Sequence, residues 1–589
     1  MKNFFGRVFS TIVGNLLTFS VFVIIFIVLI FVSALSTPST KVSKGSLLEI
    51  SLDNVIMESE MDRSTSIFDF SDSPKFYLVD IIESIKEAKT DDNIKGISLQ
   101  LDNFSGGATQ ATDIRNALVD FKKSGKFIYA YSNTGSQLSY YINTTADKIY
   151  QNPLGGTLIQ GLSSEIMFYK NAGDKYGVDF QVIRHGQFKS AVEPFFRTNM
   201  SEENRLQVSE LLNDVWGNMK TSITNARKIS SEDFNTITDS LYAFIPELGK
   251  ENKIYDVLAQ ENEYKKMLFK KLELEKDDSK SDFEVLEKYT IKIDDYFSTL
   301  SPESEKEKIA VLYASGAITE GDGFDGIQSK TYVDAIRKIA KNDKVKALVL
   351  RINSPGGSAN ASEEILFELM QLKEKMPIVV SFGDVAASGG YYIAQSSDKI
   401  YAQPNTITGS IGVFGMIPNA KKLFNNIGLD FDEVKTNANS NQLKSLTTPL
   451  SATAKNTLQK SIVLTYGKFV NHVAKNRKMT FDQVDKIGEG RVWSGTKAKQ
   501  IGLVDEFGGL NDAIKEAARL AKINKYSTVN YPKRKDSFEE FMANLQGKNV
   551  EASIAKELGT DGIRIYKEIK MLNEQKGLQL RMPYDIQIK

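Results

Sequence analysis

The chain repeats itself at a fixed spacing. "DNIKGISLQLDNFSGGA" at 92–108 resembles "DKVKALVLRINSPGGSA" at 343–359, and "ADKIYQNP" at 146–153 resembles "SDKIYAQP" at 397–404, both at an offset of 251 residues. "VDFQVIRHG" from Val178 and "LDFDEVKTN" from Leu429 keep the same offset. A register held this far apart means tandem duplication of a domain of about 220 residues, not a solenoid of short units. The chain must therefore build two copies of one architecture, each around its own core.

Each half reads as alternating strands and helices. "KGISLQL" and "KALVLRI" are β-rich runs ending in a Gly-containing loop, followed by helical patterns such as "ASEEILFELMQLKEK" and by a second apolar strand, "KFIYAYS" or "PIVVSF". That alternation predicts α/β units with largely buried strands. We expect a first repeat over 45–300 and a second over 305–530, with a charged stretch at 265–308 that includes the linker. A tail over 531–589 has no strong assignment.

The N-terminus departs from the repeat. Residues Val8 to Leu35 carry no charge, and the densest part, "LLTFSVFVIIFIVLIFVSAL" from Leu16 to Leu35, would cover about 30 Å as a helix, the thickness of a bilayer core. A cleaved signal peptide would have an apolar core of only about 7–15 residues. The expectation is a membrane anchor within residues 1–40. Lys2 and Arg7 before the span, against Lys41 and Lys44 after it, weakly favour a cytoplasmic N-terminus and an exported body.

Composition excludes several chemistries. There is no cysteine, so no thiol nucleophile, disulfide framework or thiolate metal site. Two histidines, His185 and His472, with no HExxH-like pair argue against zinc, and a net charge of zero gives no reason to expect a nucleic-acid partner. No cofactor is expected.

"DVAASGGYYIAQ" at 384–395 presents Ser388 ahead of a Gly-Gly pair and a helical run, which suits a nucleophile, but serine needs a base and no histidine is near. The two halves differ here. The position 251 residues before Ser388 is Gln137, so the first half has lost the serine. Conversely, Lys189 in "HGQFKSAVEPF" falls on Ser440 of the polar stretch "NANSNQL". One half holds the serine and the other the lysine, which points to one site assembled from two domains. A lysine acts as base only when neutral. Its reference pKa leaves roughly one molecule in a thousand unprotonated at neutral pH, and lowering it to about 8 costs roughly 3 kcal/mol. The burial that does this could come from Phe188, Val192, Phe195 and Phe196. Gly389, at the start of the helix after Ser388, could offer its N–H to a developing oxyanion. Gly356 and Gly357 end a strand and would let a substrate approach the backbone closely.

At "RINSPGGSA" (351–359), "DVAASGGYYIA" (384–394), "NTITGSIGVFG" (405–415), "GQFKSAVEPF" (186–195) and "GRVWSGTKAKQIGLVDEFGGL" (490–510), the sequence resembles the signal peptide peptidase A family, of the long, protease IV type, whose relatives share the ClpP/crotonase fold. The resemblance covers roughly residues 45–530 together with the anchor. It implies a tandem ClpP/crotonase-like α/β fold and a serine endopeptidase that degrades signal peptides left in the membrane. By the same resemblance, Ser388 is the nucleophile, Lys189 the general base and Ser410 the serine that hydrogen-bonds the lysine. Gly389 and one of Gly356 or Gly357 are the oxyanion donors. A homotetramer is implied as well.

Other residues have plainer roles. His185 is expected to be structural in the lysine loop and His472 to be a surface or cap residue. Glu193 and Arg197 flank the loop either as an ion pair that shapes it or as a solvated pair. Ser190 lacks the Gly-Gly helix start of a nucleophile. Two rival readings are an acyl-CoA enzyme on the crotonase fold and a non-catalytic membrane scaffold.

Overall fold

The computed structural model describes residues 42–53, 56–58, 76–277, 279–300, 304–533 and 578–582, with a few positions between 14 and 25. Apart from those positions, the span expected to anchor the chain lies outside the described residues. Among the described residues no helix is long and apolar enough to cross a membrane.

Each half builds a parallel sheet. The first runs in the order Val257–Leu258, Lys148–Gln151, Phe127–Ser132, Ile94–Gln100, Ser46–Ile50, Thr290–Lys292, with every neighbouring pair parallel. The second centres on Lys308–Ser315, Val345–Ser354 and Ile378–Ala387, again parallel, with Ser527–Tyr531 at one edge and Ile407–Gly409 and Val492–Ser494 at the other. Helices cover these sheets, so the central strands are buried on both faces. This is why "ALVLRI" and "ISLQL" read as almost unbroken apolar runs. Leu348, Leu350 and Ile352 enter the second core, and Ile97 and Leu99 the first.

The duplication extends to side chains. The backbone N–H of Ile128 donates to Asp147 Oδ2 at 2.8 Å, and that of Ile378 to Asp398 Oδ2 at 2.8 Å. Arg227 pairs with Asp256 as Arg477 pairs with Asp505. The 26-residue helices Glu202–Arg227 and Ala452–Arg477 each end at a left-handed lysine, Lys228 and Lys478. The charged stretch expected to include the linker is mostly structured, with helices Glu261–Lys271, Asp282–Lys288 and Ile293–Thr299 around a strand of the first sheet.

A third sheet joins the halves. Its order is Ile327–Gln328, Ile318–Thr319, Gly356–Ser358, Gln579–Arg581, Val413–Asn419, Asp179–His185. Here the repeat breaks. Asp179–His185 of the first half is a strand paired antiparallel with Val413–Asn419, whereas residues 430–436, its counterpart by spacing, are irregular and exposed. The first half has thus kept a strand that reaches across to the second.

A buried ionic seam lies beside this junction. Arg351 of the second half donates from Nε and Nη2 to the Glu58 carboxylate of the first, at 2.8 and 3.0 Å. Asp384, four residues before Ser388, accepts from the backbone N–H and the hydroxyl of Thr109, at 2.8 and 2.9 Å. Thr109 stands in the first turn of the helix Ala108–Lys122, where unpaired N–H groups attract an anion. Gly107 is required there, because a Cβ would lie 2.1 Å from Asp384 Oδ2.

Candidate active site

The strand Ile378–Ala387 ends one residue before Ser388, and the short helix Gly389–Ile393 begins one residue after it. Ser388 makes the turn with φ 54°, a left-handed conformation that costs a non-glycine residue about 1–3 kcal/mol. Its N–H is held by the Gly409 carbonyl at 2.8 Å. A side chain on Gly389 would meet Ser362 Oγ at 2.8 Å, and one on Gly390 the Ser354 carbonyl at 2.9 Å. The "SGG" triplet is therefore required by close packing as well as by the turn.

Lys189 arrives from the other half by the pairing of Asp179–His185 with Val413–Asn419. His185 stands opposite Val413, so four residues further along one strand and three residues back along the other bring Lys189 beside Ser410. The loop between is pinned: Phe188 N–H donates to the Glu489 carbonyl at 3.1 Å, Arg184 Nη1 to the Lys189 carbonyl at 3.0 Å, and Gln207 Nε2 to the Ser190 hydroxyl at 2.8 Å.

Lys189 Nζ then has three neighbours: Ser388 Oγ at 2.9 Å, Ser410 Oγ at 3.0 Å and the Ser410 carbonyl at 3.2 Å. Lys189, Ser388 and Ser410 are all fully buried. Burial pushes the Lys189 ammonium well below the usual lysine range, and no acidic partner offsets it. A neutral amine has two N–H donors and one lone pair. Ser410 Oγ can itself donate to the Gly490 carbonyl at 3.4 Å, which frees its lone pairs to accept. Both amine hydrogens then go to Ser410, leaving the lone pair for the Ser388 hydroxyl. That is the arrangement of a general base on a serine nucleophile.

The apolar residues around the lysine loop have partners of their own, and Val192 packs with Ala191 and Phe414. Phe195 stacks against Tyr169 and Phe180, Phe196 lies beneath the Arg184 guanidinium, and Phe188 lies beneath Arg491. Two glycines of the second half lie directly against the side chain. A Cβ on Gly490 would lie 2.6 Å from Lys189 Cβ, and one on Gly412 3.1 Å from Lys189 Cδ. Glu193 pairs with Arg184 at 3.7 Å rather than with Arg197, whose Nε donates to the Asn199 carbonyl. His185 packs its ring on Tyr466, with centroids 4.1 Å apart. His472 is a half-buried residue within a long helix, edge-on to Tyr392, and burial lowers its pKa; it is not a cap.

Gly356 and Gly357 form the start of the strand Gly356–Ser358, next to Ser388. A Cβ on Gly356 would lie 2.6 Å from the Gly389 nitrogen, and one on Gly357 1.9 Å from the Ile318 carbonyl. Gln137, in the place of the lost serine, uses its Oε1 to accept from the N–H groups of Gly161 and Gln160 at 3.0 and 3.2 Å. It is structural.

A model of peptidase family S49 matches residues 120–276 and 370–524, falling once in each half. The chain belongs to peptidase family S49. A Clp protease model also matches residues 302–408, in accord with the ClpP-like mixed α/β fold. Protease 4 of Salmonella typhi is 37% identical over 480 residues, 80% of this chain and 76% of that protein. Protease 4 of Haemophilus influenzae is 35% identical over 471 residues, 77% of this chain and 75% of that one. The chloroplastic serine protease SPPA of Arabidopsis thaliana is 31% identical over 500 residues, 84% and 72%. As a member of S49 the chain is a serine peptidase, with the family's domain duplicated.

Proposed function

We propose that the chain is a membrane-anchored endopeptidase in which Ser388 is the nucleophile and Lys189 its general base. The carrying observation is the 2.9 Å contact between Lys189 Nζ and Ser388 Oγ in a fully buried site with no carboxylate partner. Ser410 positions the lysine. The N–H groups of Gly389 and Gly357 meet the oxyanion as the tetrahedral intermediate forms. Lys189 takes the serine proton during attack and delivers it to the leaving amine. The peptide lies as an added strand along Gly356–Ser358, where main-chain hydrogen bonds hold it and apolar pockets select side chains.

The substrates we infer are hydrophobic peptides, remnant signal peptides among them. The uncharged span 8–35 anchors the chain in the cytoplasmic membrane with its body on the extracytoplasmic side, and four chains assemble around the sites. Ser388→Ala and Lys189→Ala should each abolish cleavage of apolar peptides and labelling by a serine-reactive phosphonate, while circular dichroism stays native. Full activity in either variant would defeat the dyad.

A further inference from the structure

Lys189 and Ser410 lean on one short stretch of the second half. Residues 488–491 follow the helix Phe481–Ile487, and their backbone meets the site at successive positions. The Glu489 carbonyl accepts the Phe188 N–H at 3.1 Å, the Gly490 N–H donates to the Ile411 carbonyl at 2.7 Å, and the Arg491 carbonyl accepts the Ser410 N–H at 2.7 Å. The Gly490 carbonyl takes the Ser410 hydroxyl at 3.4 Å, and Gly490 itself packs on Lys189. A shift of this stretch therefore moves the base and the serine beside it together.

The stretch is held in a conformation it would not keep alone. Glu489 stands at φ 50°, a left-handed backbone that strains any residue but glycine and persists only where the surroundings fix it. Its N–H donates to the hydroxyl of Tyr466, on the helix Ala452–Arg477, at 3.2 Å. An amide N–H can only donate, so the hydroxyl accepts there and gives its own proton to Asp485 Oδ1 at 2.6 Å. Burial, and then the hydrogen bond to Asp485, raise the phenol above the ordinary tyrosine range, so the proton stays on Tyr466. Gly488 makes room for this contact, since a Cβ there would lie 3.1 Å from the Tyr466 hydroxyl. The ring of Tyr466, buried in the core of the second half, also meets the first half: His185, the last residue of the strand that delivers Lys189, packs on it with centroids 4.1 Å apart. A Cβ on Gly186, the next residue, would lie 2.3 Å from the Glu489 carbonyl oxygen. One side chain thus touches both the strand that brings the lysine and the turn beneath it.

We propose that Tyr466 is a positioning residue for the dyad: it fixes residues 488–491 in the one conformation that sets Lys189 Nζ between Ser388 and Ser410. The proposal rests on the Ser388–Lys189 reading above. Tyr466 acts through the backbone of Glu489 and Gly490. Without its hydroxyl the Glu489 N–H loses its acceptor and the strained turn loses its hold. The stretch then relaxes away from Lys189, and the amine gains both freedom to leave Ser388 and access to water. A less buried lysine is more readily protonated, so the base is misplaced and charged at once.

Tyr466→Phe tests this, because it removes the hydroxyl and keeps the ring that His185 packs on. With circular dichroism native, kcat for an apolar peptide should fall about 10- to 100-fold while KM stays within about twofold, as expected when alignment rather than binding is lost. The rising limb of kcat/KM against pH should move to higher pH. Glu489→Gly, which takes the left-handed turn without strain, should recover part of the lost kcat when combined with Tyr466→Phe. A Tyr466→Phe enzyme with wild-type kcat and an unmoved limb would overturn the proposal, as would a fall in kcat that leaves the limb in place and is not relieved by Glu489→Gly. A wild-type chain that neither cleaves peptides nor takes up a serine-directed phosphonate would instead overturn the dyad reading on which it rests.

Discussion

Replacing Ser410 by alanine isolates the positioning of the lysine from the chemistry of the serine. The change removes the hydroxyl 3.0 Å from Lys189 Nζ and leaves the Ser410 carbonyl at 3.2 Å in place. Alanine keeps the same Cβ, so the left-handed backbone at Ser410, φ 50°, is no more strained than before. Lys189 is fully buried, and the lost acceptor leaves one of its N–H groups without a partner, at a cost of about 1–3 kcal/mol. If that cost falls on the alignment of the base in the transition state, kcat/KM drops roughly 5- to 150-fold. The pH profile should also move. An ammonium loses more than an amine when an acceptor is withdrawn, because its hydrogen bonds are charge-assisted. The Lys189 pKa therefore falls further, and the rising limb of kcat/KM against pH shifts to lower pH. The assay is cleavage of a fluorogenic apolar peptide from pH 5 to 10. An unchanged rate with an unchanged limb, or a limb moved to higher pH, would refute the role given to Ser410.

Two further outcomes follow from the walls of the site and from the seam. Gly490→Ala adds a Cβ 2.6 Å from Lys189 Cβ, against backbone that cannot give way, and should lower kcat about 100-fold with little change in KM; more than half the wild-type kcat would show that the lysine tolerates displacement. Burial pushes the Asp113 carboxyl up to about 7, although its Oδ2, which makes no hydrogen bond, lies 3.9 Å from Arg351 Nη2, so the folded chain keeps a proton that the unfolded chain releases near pH 4. That contribution to stability is complete below about pH 4 and is lost as pH rises to about 7. Asp113→Asn should therefore be more favourable relative to wild type at pH 8 than at pH 5, measured as urea midpoints; a difference independent of pH would show that Asp113 does not titrate there.

The strands and the duplication were legible because buried parallel strands leave apolar runs, and because a repeat of the whole fold leaves a register. The complementary loss of the serine in one half and of the lysine in the other pointed to the two residues that the structure brings within 2.9 Å of each other. What sequence could not give is set by contacts between distant segments. Gly412 and Gly490 lie against the lysine, which sequence does not reveal, since a glycine records only that something else occupies its side-chain space. Asp384 opens the motif "DVAASGGYYIA", but its partner Thr109 is 275 residues away on the first half. Arg351 reads as an interruption of an apolar strand until Glu58 is placed against it. The strand Gln579–Arg581 carries no local signal, because three residues in a tail say nothing of the strands far upstream, Gly356–Ser358 and Val413–Asn419, that they pair with. The similarity between 178–186 and 429–437 marks shared ancestry without shared structure, since the first stretch forms a strand and the second is irregular.

On the proposed reading one chain builds the whole site, with Lys189 of its first half on Ser388 of its second. Co-expressing Ser388→Ala and Lys189→Ala chains, and assaying the mixed assemblies for peptide cleavage and phosphonate uptake, tests it directly. Assembly of the site within each chain predicts no recovery above the separate variants, because no chain holds both groups. Activity restored to a sizeable fraction of wild type would mean that lysine and serine meet across subunits, and would contradict it.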